Sequence, residues 1–210
     1  MRLFVGIPLA EAVAQEVAAL TARLKRDNDG LRWSAPESWH ITLQFLGNTT
    51  EEKYACVAAA LRGVESAPVA VQLTELGVFE RAGVLHVDVA LTKELADLQR
   101  RVTRADEACG FVAEERTYHP HITLARIKLA RIQAKTGRGT KTGSGQALLR
   151  EVAARAGTRP QFTGFIAEEF VLYESVRDES VRDQSVRDES VQGPAGSRYV
   201  ARERFRFSRA

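Results

Sequence analysis

Trp39-His40-Ile41-Thr42-Leu43-Gln44-Phe45-Leu46-Gly47 and Tyr118-His119-Pro120-His121-Ile122-Thr123-Leu124-Ala125-Arg126 are the two stretches on which the reading of this chain turns. Both contain His-Ile-Thr-Leu, at residues 40–43 and 121–124. On a β-strand successive side chains alternate between faces, and residues i and i+2 lie about 7 Å apart on one of them. His40 and Thr42 then share one face, and Ile41 and Leu43 share the other. The apolar pair anchors the strand in a core, and the imidazole and hydroxyl are offered to a polar cleft. His121 and Thr123, backed by Ile122 and Leu124, repeat the arrangement. A single copy reads most simply as a satisfied strand histidine. Two copies in a chain with only four histidines ask for a joint explanation.

The segments around these strands alternate between strand and helix patterns. Residues 2–7 and 39–46 read as strands, and 9–25 as a helix with Val13, Val17, Leu20 and Leu24 three or four apart, ended by Asn28 and Gly30. Thr49 with Glu52 three residues on suggests a capping box for a helix carrying Tyr54, Val57, Ala58 and Leu61. Residues 69–78 and 84–91 read as paired strands about a turn at 81–83. Thr92 suits the N-cap of a helix bearing Leu95, Leu98, Val102 and Ala105, with Gly110 as its stop. A strand at 117–127, a Gly-, Lys- and Thr-rich loop at 136–145, a short helix and a strand at 161–173 follow. Strands and helices without a regular βαβ rhythm predict an α+β fold with antiparallel sheets.

At 210 residues and 44% apolar composition, the chain can form one substantial domain or two small lobes. No stretch approaches the roughly 20 apolar residues of a membrane helix, and Pro8 closes the short apolar start, so a cytoplasmic protein with no membrane association is expected. Cys56 and Cys109 form no Cys-x-x-Cys pair, and buried reduced thiols are the expectation. The net charge is only +3, yet residues 126–159 hold nine Lys or Arg against the single acid Glu151. So basic a segment suits a polyanion through counterion release, or is a solvated loop. Residues 174–192 repeat Glu-Ser-Val-Arg-Asp, with a Gln variant and a truncated last copy. A period of five matches neither strand nor helix, so Val176, Val181, Val186 and Val191 cannot share a core-facing stripe. The repeat is expected to be a surface insert outside the core.

A pair of histidines suits phosphodiester chemistry, in which one group takes a proton from attacking water and another gives one to the leaving oxygen. With a pKa near 6.5, imidazole can do either. Two threonine hydroxyls can hydrogen-bond the non-bridging phosphate oxygens without a metal.

The chain resembles the 2H phosphoesterase superfamily, and within it the bacterial and archaeal RNA 2′,3′-cyclic phosphodiesterases once described as 2′-5′ RNA ligases. The resemblance rests on both stretches quoted above, on Arg2-Leu3-Phe4-Val5-Gly6-Ile7-Pro8, on Leu31-Arg32-Trp33 and on Phe170-Val171-Leu172-Tyr173-Glu174-Ser175. It covers nearly the whole chain apart from the repeat and the basic loop. It implies a single bilobal domain over residues 1–210, with two antiparallel sheets and flanking helices related by a pseudo-twofold about a central cleft. It further implies hydrolysis of an RNA 2′,3′-cyclic phosphate end to a 2′-phosphomonoester, with His40 as proton donor, His121 as proton acceptor, and no metal or cofactor. Thr42, Thr123 and Arg126 are the candidate phosphate contacts, RNA the expected partner, and a monomer the expected state.

Other readings stand beside this one. The same chemistry would serve a small cyclic nucleotide or a 2′-5′-linked oligonucleotide, and the same fold could be a non-catalytic RNA-binding module. His119 and His121 share a strand face in the manner of a metal-binding pair, but no cluster supplies a third ligand. His86 is expected to be a solvated strand residue. Arg126 either contacts substrate or pairs with a carboxylate. Trp33, Trp39 and Phe45 are expected in the core, with base stacking as the alternative. Lys128, Arg131, Lys135, Arg138 and Lys141 are candidates for a phosphate funnel.

Overall fold

A computed structural model describes residues 1–27, 29–127, 142–156, 160–177 and 197–208. Its elements in chain order are β1 (Arg2–Pro8), α1 (Glu11–Leu24), β2 (Leu31–Trp33), a 3₁₀ turn (Pro36–Ser38), β3 (His40–Asn48), α2 (Glu51–Arg62), β4 (Val69–Val71) and β5 (Leu73–Phe79). They continue with β6 (Val84–Val89), α3 (Lys93–Glu107), β7 (His121–Ile127), α4 (Thr142–Ala154), β8 (Phe165–Ala167), β9 (Glu169–Arg177) and β10 (Ser197–Arg206). Two four-stranded sheets run in the orders β10-β9-β1-β3 and β2-β7-β6-β5, and β4 pairs with β8 in a small third sheet. Every pairing is antiparallel, so the fold is α+β as expected.

The two large sheets repeat one local plan. In the first, β3 pairs with β1 so that His40 faces Pro8 and Thr42 faces Gly6. In the second, β7 pairs with β6 so that His121 faces Asp88 and Thr123 faces His86. Ile41, Leu43, Ile122 and Leu124 are all buried, as the two-residue period requires. Helix α1 lays Val13, Val17, Leu20 and Leu24 against the core, and α3 does the same with Leu95, Leu98 and Val102.

Each motif strand also carries a bulge. The register passes from Val5 opposite Gln44 to Gly6 opposite Thr42, skipping Leu43. It passes from Leu85 opposite Ala125 to His86 opposite Thr123, skipping Leu124. A bulge puts two residues against one, so two consecutive side chains turn inward and the alternation resumes out of phase. Gln44 and Ala125 are accordingly buried, and Phe45 and Arg126 return to the histidine face.

Several boundaries differ from expectation. Thr50, not Thr49, caps α2: its side chain accepts from the Lys53 amide, while the Thr49 hydroxyl donates to Gly47 O. The expected strand at 69–78 divides at Gln72, which changes sheets and donates its side-chain amide to Leu73 O and Phe162 O. Pro120 has no N–H to give a ladder, and β7 begins only after it. The strand expected at 161–173 divides at Glu168, and β9 runs on through Arg177, so the first four residues of the repeat pair with β10. The rest of the repeat, and the five funnel candidates, lie outside the described residues.

The cysteines are the plainest correction. Cys56 on α2 and Cys109 just beyond α3 are joined in a disulfide, with their Cα atoms 5.8 Å apart. They stand 53 residues apart in sequence, and only the packing of α2 on α3 brings them together. No described helix is long and apolar enough to cross a membrane.

Candidate active site

β3, the edge strand of the first sheet, lies against β7, which the short β2 and β6 flank in the second. The Tyr118 hydroxyl donates to Thr42 O at 3.1 Å, fastening the approach to the second motif onto the strand of the first. His40 lies within the electrostatic reach of His121, and Arg126 on β7 within that of Tyr199 on β10. The polar faces of the two motifs therefore share one region.

Both histidines are held in the same way. His40 Nδ1 lies 2.7 Å from Ser38 O, and His121 Nδ1 lies 2.8 Å from His119 O. A carbonyl only accepts, so each Nδ1 carries the hydrogen and each Nε2 keeps the lone pair that can take up a proton. His40 packs on the Phe4 ring at 4.5 Å and against the edge of Tyr199 at 5.1 Å. His121 meets the edge of Phe79 at 4.8 Å. Burial pushes His40 down to about 4, against the opposing pull of the Ser38 carbonyl. Burial also lowers His121, but the His119 carbonyl and the Asp88 carboxylate act to raise it. Each imidazole is thereby biased towards its neutral form.

Close packing at His40 depends on Gly6. A Cβ there would stand 2.9 Å from Ile41 O and 3.3 Å from His40 Cδ2, so only glycine lets β1 pass beneath the first motif. Thr42 and Thr123 are half-buried beside their histidines.

His86 is not the solvated residue expected. It is 2% exposed and stacks on Phe79 at 3.8 Å. Its ring lies over Gly77, where a Cβ would stand 2.3 Å from Nε2. Its surroundings push its pKa down to about 4, chiefly by burial, so it is neutral. The strand Val84-Leu85-His86-Val87, apolar on both faces, carried the signal of a position buried on both sides. Asp88 also escaped the sequence reading: its Oδ1 accepts from His86 Nε2 at 2.9 Å and from His119 Nε2 at 2.6 Å.

Asp88, His86 and His119 bring three metal-ligating atoms within 4.8 Å of one another. A histidine bound to a metal through Nε2 ordinarily donates its Nδ1–H to a carbonyl, carboxylate or water. His86 Nδ1 is buried and has no partner among the described residues, so moving the proton there would create an unsatisfied donor. The trio fits a hydrogen-bonded clasp better than a metal centre.

Arg126 faces Arg32 across the β2–β7 ladder. Among the described residues no carboxylate pairs with either, and Arg126 is held below its ordinary range by burial and by that neighbouring charge. An anion would relieve the repulsion. Phe45, at the matching position of β3, is 54% exposed, contrary to the expected core placement. Trp39 is buried as expected, and Trp33 is half-buried with its indole N–H donating to Asp29 at 2.7 Å.

Comparison with known proteins agrees with this duplicated plan. The model of the LigT-like phosphoesterase family matches residues 7–86 and again 87–181. The RNA 2′,3′-cyclic phosphodiesterase of Bacillus subtilis is 31% identical over 128 residues, covering 59% of this chain and 69% of that protein. The enzyme of the same name from Methanocaldococcus jannaschii is 28% identical over 130 residues, covering 61% and 72%. The crystal structure of E. coli LigT complexed with 3′-AMP superposes with a TM-score of 0.70 at 21% identity, over 99% of this chain and 98% of that one. With each half matched in turn by the family model, the chain belongs to the LigT-like phosphoesterases of the 2H superfamily.

Proposed function

We propose that this phosphoesterase hydrolyses RNA 2′,3′-cyclic phosphate ends to 2′-phosphomonoesters by acid–base catalysis between His40 and His121, without a metal. The observation that carries the reading is the matched pair of Nδ1–carbonyl hydrogen bonds, which leaves two Nε2 atoms for one region. The names of its relatives support a cyclic phosphate on RNA as the substrate, and E. coli LigT has been crystallised with 3′-AMP and with phosphate.

In this reading water attacks phosphorus as His121 Nε2 takes its proton. The P–O3′ bond breaks, and His40 Nε2–H protonates the departing oxygen. Solvent exchange then restores the starting protonation. Burial keeps His40 unprotonated in the free protein, so its donor role depends on the phosphate anion to favour the imidazolium. Thr42, Thr123 and Arg126 stabilise charge on the non-bridging oxygens.

The test is turnover of an RNA carrying a terminal 2′,3′-cyclic phosphate, in the presence of chelator, with the product resolved as 2′- or 3′-phosphate. The wild type should yield the 2′-phosphate, and His40→Ala and His121→Ala should each fall to background while remaining folded. Dependence on an added metal, or wild-type rates in either variant, would refute the mechanism. An inactive wild type that still binds the RNA would point to a binding module.

A further inference from the structure

The two halves are alike at His40 and His121 but not at the residues opposite them. Pro8 stands across from His40, and Asp88 stands across from His121. The charged and titratable groups near His121 are His40 on β3, His86 and Asp88 on β6, His119 before β7, and Arg126 on β7 itself. Asp88 is the one anion among them.

Resting on the acid–base reading above, we propose that Asp88 is a positioning residue that makes His121, rather than His40, the proton acceptor. It acts in two ways. Its carboxylate holds the His119 side chain, and the His119 carbonyl is the group that fixes the His121 ring and tautomer. The Val89 amide donates to Pro120 O at 3.0 Å and secures the same turn from the other side. When His121 takes the proton from water, Asp88, the one acidic group among the described residues that faces it, also supplies negative charge to stabilise the imidazolium.

His86 completes the arrangement from below. It donates to the same oxygen as His119, and its place on Phe79 exists only because residue 77 is glycine. The carboxylate is held between two donors and is only partly solvated, with its side chain 25% exposed. A charge so placed is screened less than one in open water. Among the described residues nothing equivalent stands by His40, whose ring rests on Phe4, Tyr173 and Tyr199.

The experiment is an NMR titration of the histidine rings in the wild type and in Asp88→Asn, with His119→Ala as the comparison that keeps the carboxylate. His119 is 54% exposed, so its removal leaves the core untouched. In Asp88→Asn the His121 midpoint should fall by about one pH unit while that of His40 stays, and kcat on the cyclic phosphate should fall about tenfold with KM within twofold. Asp88→Glu should restore part of the rate. An unmoved His121 midpoint in Asp88→Asn, or an equal movement of His40, would overturn the assignment, and the fall in His119→Ala measures the share that runs through the turn. The titration needs no substrate, so it decides the role of Asp88 even if the cyclic phosphate is not turned over.

Discussion

Asp106 offers a quantitative test of the fold. It lies on the buried side of α3, is 0% exposed, and neither of its carboxylate oxygens has a hydrogen-bond partner among the described residues. Burial raises its pKa from 3.8 to about 7. The unfolded chain releases this proton from about pH 4 upward, whereas the folded protein keeps it until about pH 7. Between those values the folded state binds more protons, so stability falls as pH rises through the window and levels off above it. At about 1.4 kcal/mol per pH unit, the full loss approaches about 4 kcal/mol. Asp106→Asn keeps the shape and removes the ionisation. Its urea midpoint should match the wild type near pH 4 and exceed it by up to about 2 M near pH 8, taking a slope of about 2 kcal/mol per M. Unfolding curves at unit intervals from pH 4 to pH 8, under oxidising conditions, would measure this. A difference between the proteins that stays constant across the series would refute the buried, unpaired carboxyl.

Thr42→Ala and Thr123→Ala should each lower kcat by about 10² to 10³ with little change in KM, and serine should recover most of the loss; a change confined to KM would place the hydroxyls in ground-state binding only. Gly6→Ala should disturb the first motif from beneath, reducing kcat far more than stability, as steady-state kinetics alongside thermal melts would show; unchanged kinetics would mean that β1 accommodates the extra carbon. Reduction of the Cys56–Cys109 bond should destabilise the fold by up to about 4 kcal/mol, the entropy of a loop of this length, and Cys56→Ser should behave like the reduced protein under either condition.

What could be read beforehand was what obeys a short period. Alternation placed Ile41, Leu43, Ile122 and Leu124 in the core and left His40, Thr42, His121 and Thr123 facing away from it. The spacing of Val13, Val17, Leu20 and Leu24 placed the buried stripe of α1. What escaped depends on contacts between distant segments or on a break in the period. Alternation counted on from His40 turns Gln44 outward and Phe45 inward, and the bulge reverses both. Asp106 follows Leu95, Leu98 and Val102 at helical spacing, but a carboxyl on an apolar stripe is the choice that composition argues against, and Ala105 took its place in the sequence reading. The clasp on Asp88 needs His119, which reaches it only through the β6–β7 register. The disulfide likewise depends on α2 packing beside α3.

The bulges at Leu43 and Leu124 separate two kinds of position within one short strand. Ahead of each bulge, the two halves share the same pair of residue types, a histidine and a threonine. Beyond it they diverge, to an aromatic ring at Phe45 and a guanidinium at Arg126. The extra residue works as a joint: it turns a side chain five places from the histidine back to the histidine's face without moving the histidine itself. Under the reaction proposed above, exchanges at residues 45 and 126 are expected to change the surroundings of the phosphate while leaving His40, His121 and their supporting strands as they stand.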